Sequence, residues 1–122
     1  MRPELPTLEF THREDLHTWL EQNHSSSPGI FVRVYKKVTG VPSISFEDLL
    51  EEGLCFGWSE SLRLKGDEKS YLQKFTPRRT RGTTSDRNLR YTQRLIKEGR
   101  MKPEGLRALG LSDVTQLKNL PD

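Results

Sequence analysis

A single cysteine, Cys55, excludes an internal disulfide, and one thiol in 122 residues fits a reducing compartment. No apolar run approaches the ~20 residues of a transmembrane helix, so membrane insertion is not expected. The first fifteen residues hold no apolar stretch of the kind a secretory leader carries, and the chain reads as cytoplasmic. Hydrophobic residues make up only 32% of the sequence and aromatics 8%. Leu, Ile, Val and Phe still supply about a quarter of it, above the ~20% below which chains stay disordered. One small core, and therefore one domain, is what this length supports.

Motifs of several enzyme classes are also missing. There is no Gly-rich phosphate loop, no G-x-S-x-G turn and no H-E-x-x-H helix. His12, His17 and His24 are five and seven residues apart, which does not put the first two on one helix face as metal ligands require. No metal and no cofactor are expected. Cys55 lies between Leu54 and Phe56, an apolar setting that favours an inert, buried thiol over a nucleophile. No catalytic residue is assigned, and Glu60 with Asp67 is no evidence of an acid–base pair.

What is abundant is charge, unevenly placed. Residues 1–60 hold 5 Lys and Arg against 10 Asp and Glu, whereas residues 78–102 hold 9 against 2. Such asymmetry points either to an anionic partner or to two parts of one fold that attract each other.

The residue pattern predicts the elements in the order α-β-α-β-β-β-α-α. Thr11 and Glu14 form a capping box for a helix over 12–23, with Leu16, Trp19 and Leu20 on its apolar face. Ile30–Val38 reads as a strand. Ser45 and Asp48 open a short helix that ends near Gly53. Leu54–Glu60 then reads as a strand with Phe56 and Trp58 on one face, followed by strands Leu62–Lys65 and Ser70–Thr76 joined at Gly66-Asp67. Thr84 or Ser85 caps a helix running to Glu98, and Pro103 starts another through Leu109. Ser112 starts a final turn or two. The fold class is α+β: a single domain with a small, mostly antiparallel sheet of about four strands and helices packed on it.

Two surfaces emerge. On the helix over 86–98, Arg87, Arg90, Arg94 and Lys97 share one face, with Leu89, Thr92, Leu95 and Ile96 opposite. Arg78, Arg79 and Arg81 precede it, and Arg100 and Lys102 follow. The stripe is either a solvated outer face or a weak, non-specific polyanion surface, because no base-reading motif accompanies it. The second surface is a candidate anion pocket. If the strands holding Trp58 and Phe75 are neighbours, Arg78 and Arg79 emerge beside Phe56 and Trp58, and Ser85 and Asn88 open the next helix close by. Two guanidinium groups, a helix N-terminus and an aromatic wall suit a carboxylate or phosphate. The alternative is structural: Trp58 in the core, and Arg79 tying the loop to Glu60 or Glu52.

Leu54-Cys55-Phe56-Gly57-Trp58, Phe75-Thr76-Pro77-Arg78-Arg79, Ser85/Asn88 and Leu95-Ile96-x-x-Gly99-x-Met101-x-Pro103-x-Gly105 follow Trp19-Leu20 in order. In this the chain resembles the bacterial YdeI/OmpD-associated (OmdA-like, bacteriocin-protection) proteins over about residues 10–109. It departs from them with Ser59-Glu60 after Gly-Trp, and with Thr84-Ser85 ahead of the Asn helix. The resemblance implies protection against bacteriocins or peptides and association with an outer-membrane porin; with no metal, nucleophile or phosphate-loop motif, the chain reads as a non-enzymatic binding protein in stress or envelope protection. The alternatives are an enzyme or binder with an anionic small-molecule pocket near Trp58 and Arg79, and a weak nucleic-acid binder without sequence specificity.

Overall fold

The computed structural model describes residues 5–78 and 85–110. In chain order the elements are β1 (Thr7–Glu9), α1 (Arg13–Asn23), β2 (Ile30–Tyr35), a 3-10 turn (Lys37–Thr39), α2 (Phe46–Phe56), β3 (Trp58–Lys65), β4 (Ser70–Pro77), α3 (Asp86–Lys97) and α4 (Pro103–Ala108). The four strands form an open sheet in the order β1-β2-β4-β3. β1 runs parallel to β2, and the other two pairings are antiparallel. This is a small α+β domain, with a mixed sheet.

The strand count matches the sequence reading; β2 and β4 are expected strands, although β2 stops at Tyr35 rather than Val38, whereas the expected strands Leu54–Glu60 and Leu62–Lys65 give way to the single β3. Leu54, Cys55 and Phe56 are the last turn of α2, not a strand, and β3 begins only at Trp58. Phe56 and Trp58 therefore belong to different elements. The helix passes through Gly53 because that glycine is there for close packing. A Cβ on it would lie 2.8 Å from the Phe75 ring and 2.9 Å from the Trp58 carbonyl oxygen. The stop is Gly57, whose φ of 80° is a left-handed conformation that favours glycine. At the other end, Ser45 Oγ accepts from Asp48 N–H at 3.0 Å while the Asp48 carboxylate accepts from Ser45 N–H at 3.1 Å.

The strand with no counterpart in the sequence reading is β1. Three residues are too few to show a period, and they form a strand only by lying along β2. The first helix also starts one residue later than the Thr11 cap implied, at Arg13, with the cap at His12, whose N–H donates to the Asp15 carboxylate at 3.3 Å. Phe10 sets this offset. Its side chain is buried and its carbonyl accepts from Ile44 N–H at 3.1 Å, so the chain stays extended past it.

One face of the sheet, with Ile30, Val32, Val34 and Phe75, packs on Leu16 and Leu20 of α1, Leu49, Leu50 and Leu54 of α2, and Leu95 of α3. Along β3 the alternation is broken. Glu60 pairs with Phe75, but the next paired residue is Leu62, opposite Lys74, so Ser61 forms a bulge. Past the bulge Arg63 and Lys65 take the register positions of Gln73 and Tyr71, on the face that Phe75 shares. Leu62 and Leu64 go to the opposite face, 49% and 38% exposed. Buried Gln73 closes the irregularity by donating from Nε2 to the Leu62 carbonyl at 3.1 Å.

Replacing Gln73 by Leu removes that donor and leaves a carbonyl at the bulge without it. Thermal unfolding should show a loss of about 1–3 kcal/mol, a melting temperature lower by roughly 3–10 °C. An unchanged melting temperature would mean that the bulge holds without Gln73.

Candidate functional site

Two of the six residues expected to form an anion pocket are core side chains. Trp58 is 2% exposed; its ring meets those of Trp19 at 5.6 Å and Phe75 at 5.1 Å, and its Nε1–H donates to the His24 carbonyl. Phe56 is 3% exposed and packs against the rings of His17 and His24. Neither ring offers an open wall. Arg78 does lie beside the start of β3, its N–H donating to the Gly57 carbonyl at 2.9 Å, and Pro77 pairs with Trp58. Arg79 and Arg81 lie outside the described residues. Ser85 caps α3 by accepting from Asn88 N–H at 3.1 Å. Asn88 is buried, with its Oδ1 accepting from Arg87 at 3.2 Å, and Arg87 approaches Glu60 at 3.9 Å.

The basic stripe divides into two parts. Arg94 donates to Glu51 at 2.7 Å and approaches Glu98 at 3.5 Å. Arg100, just beyond the helix, donates to Glu51 at 2.9 Å, to Glu52 at 2.8 Å and to Glu98 at 3.1 Å. These pairs join the basic and acidic parts of the chain to each other. Arg90 and Lys97 are exposed and make no ion pair with the described residues. With Gln93 and Arg94 they line an open depression of about 240 Å³.

Sequence reasoning passed over Glu51, and named Glu52 only as a possible partner of Arg79. They are 5% and 2% exposed, in a helix otherwise made of Leu, Gly, Cys and Phe on its buried turns. Glu52 is also met by His17 Nδ1 at 2.7 Å and by Arg13 at 3.9 Å. The available signal was two adjacent carboxylates inside a segment apolar on every side, with a surplus of arginine elsewhere in the chain. Burial raises the Glu51 carboxyl, but hydrogen bonds from Arg94 and Arg100 outweigh it and hold the group below its ordinary 4.5. Arg100 is partly desolvated, which lowers its pKa; hydrogen bonds to Glu52, Glu98 and Glu51 reverse this and raise it. The Cys55 thiol is pushed up to about 12, by burial first and by the Glu52 charge second. It is not a nucleophile at neutral pH.

Two expectations follow from this cluster. A carboxyl held below 4.5 in the folded state stabilises the fold above that pH, and the contribution is lost as pH falls through the folded value. The melting temperature should therefore drop on acidification below about pH 4.5, and Glu51→Gln should flatten the drop. Arg100→Ala takes a partner from two buried carboxylates, leaving Glu51 with Arg94 and Glu52 with His17 and Arg13, and should cost about 1–3 kcal/mol at neutral pH by denaturant titration. The thiol gives a separate check. Cys55 should resist a thiol reagent at about pH 8 in the native protein and react once denatured; fast native labelling would contradict its burial.

Among the described residues no helix is long and apolar enough to cross a membrane, and no group of three or more His, Cys, Asp or Glu side chains could hold a metal ion. No curated protein and no solved structure matches the chain. A family model does match, over residues 8–108, from the middle of β1 to the end of α4. Three strands, most of β1 and the four described helices lie within that match, and the chain belongs to the family described as "Domain of unknown function (DUF8412)".

Proposed function

We propose that this domain works by binding rather than by catalysis, that its partner is anionic, and that the partner meets the exposed face of α3. The setting is cytoplasmic stress or envelope protection in a bacterium, as the resemblance to YdeI/OmpD-associated proteins implies. The observation that carries the reading is the division of the basic stripe. Arg94 and Arg100 are engaged by Glu51 and Glu52, whereas Arg90 and Lys97 stand exposed at the open depression. The groups able to do chemistry point the same way. Cys55 is buried with a raised pKa, and Glu51 and Glu52 are saturated by arginines. With Phe56 and Trp58 in the core, an enzyme-like pocket at Arg78 lacks its aromatic walls.

A fluorescent single-stranded oligonucleotide serves as a generic polyanion for the test. Binding should be weak and indifferent to sequence, and should be lost between ~50 and ~200 mM salt. The double variant Arg90→Ala/Lys97→Ala should reduce the slope of log affinity against log salt by roughly 1–2. Salt-resistant, sequence-selective binding, or an unchanged slope in the double variant, would overturn the proposal.

A further inference from the structure

Among the described residues, nothing pairs with the outer edge of the sheet at β3. That strand is bonded to β4 on one side, and from Ser61 to Lys65 every residue is exposed. Such an edge presents a row of unpaired N–H and C=O groups that a further extended chain can join. Which chain it admits depends on how the side chains are set out along it.

The bulge at Ser61 sets them out. Without the extra residue, strict alternation from Glu60 would carry Leu62 and Leu64 onto the face that holds Gln73 and Tyr71. With it, Arg63 and Lys65 take that face. Leu62 and Leu64 take the other, where Leu64 stands opposite half-buried Leu72. Arg63 is held at the edge by stacking, its guanidinium carbon 4.1 Å from the Tyr71 ring centroid and 5.4 Å from that of Phe46. Neither Arg63 nor Lys65 makes an ion pair with a described residue. Between the bulge and the turn at Gly66 the strand contains no carboxylate of its own.

This pattern opposes one occupant and suits another. Consider a second copy laid antiparallel along Leu62–Lys65, with leucines facing leucines. It sets Arg63 against the other copy's Arg63 or Lys65, and like charges directly opposite weaken a strand pair. An extended segment with carboxylates two residues apart, and apolar side chains between them, meets both cations with one face and both leucines with the other.

We propose that the β3 edge takes up, as an additional strand, an extended segment of another protein in which acidic and apolar residues alternate. The backbone of β3 supplies the attachment, and Arg63 and Lys65 supply the choice of sequence. The site shares no residue with the exposed face of α3, and neither reading depends on the other.

The test is fluorescence anisotropy with a labelled peptide, Thr-Val-Glu-Val-Glu-Val-Thr. Two controls accompany it: the same peptide with Lys for Glu, and the isomer Thr-Glu-Glu-Val-Val-Val-Thr, which keeps the charge and loses the alternation. The first should bind with Kd of ~0.01–1 mM and each control at least about tenfold more weakly. Binding should slow backbone amide exchange along Leu62–Lys65 and leave α3 as it is. Lys65→Glu, on an exposed side chain, should weaken the acidic peptide about tenfold with an unchanged melting temperature. Arg63→Glu/Lys65→Glu should reverse the preference and take the lysine peptide. Arg90→Ala/Lys97→Ala should still bind the acidic one. No binding at about 5 mM, or an isomer that binds equally well, would overturn the proposal. So would slowed exchange along α3 in place of β3, or loss of the peptide in the α3 double variant.

Discussion

Arg100 donates to Glu51 at 2.9 Å and to Glu52 at 2.8 Å, and this guanidinium ties the residues after α3 to both buried carboxylates of α2. Two ionised carboxylates side by side in a protein interior are several kcal/mol too costly to hold alone. The fold meets that cost with partners from three directions: Arg13 and the His17 ring on α1, Arg94 on α3, and Arg100 beyond it. The same set of contacts orients α1, α2 and α3 about each other, a task that a core this small performs only weakly by apolar contact. Polar pairs of this kind are directional where hydrophobic burial is not, and each oxygen has a position in which its partner must stand.

How much of this could be read from the residues depended on whether the signal was local. Ser45 with Asp48 and Ser85 with Asn88 announce helix starts, because a cap is made within four residues. The hairpin turn at Asp67 is equally local: one carboxylate oxygen accepts from Lys69 N–H, Ser70 N–H and Ser70 Oγ. The segment through Cys55 was misread because a helix buried on all sides loses its period, and five apolar residues then look like a strand. Gly53 read as a stop because nothing nearby in sequence shows that Phe75 and Trp58 lie against it. β1 exists only by its pairing with β2, and a pairing across more than twenty residues leaves no local trace.

The candidate site was less legible than the fold, for the same reason. The stripe on α3 was visible as a pattern, but its division into engaged and exposed cations depends on where α2 sits. The stack of Arg63 on Tyr71 and Phe46 had no signature at all. The two rings come from β4 and α2, and the guanidinium reaches them only because the pleat of β3 shifts by one residue at Ser61. Charge counts left open whether residues 1–60 and 78–102 attract each other or the basic part meets an anionic partner; which arginine answers which glutamate is a matter of geometry.

The clamp on Glu51 and Glu52 also bears on the order in which the molecule comes into being. A ribosome delivers α1, α2 and the entire sheet before it delivers Arg94 and Arg100. Until those arginines emerge, the emerging chain holds two carboxylates that must be desolvated for α2 to pack, with only Arg13 and His17 to meet one of them. The burial of α2 is therefore completed only by residues that follow it at long range, Arg100 meeting Glu51 across 49 residues of sequence.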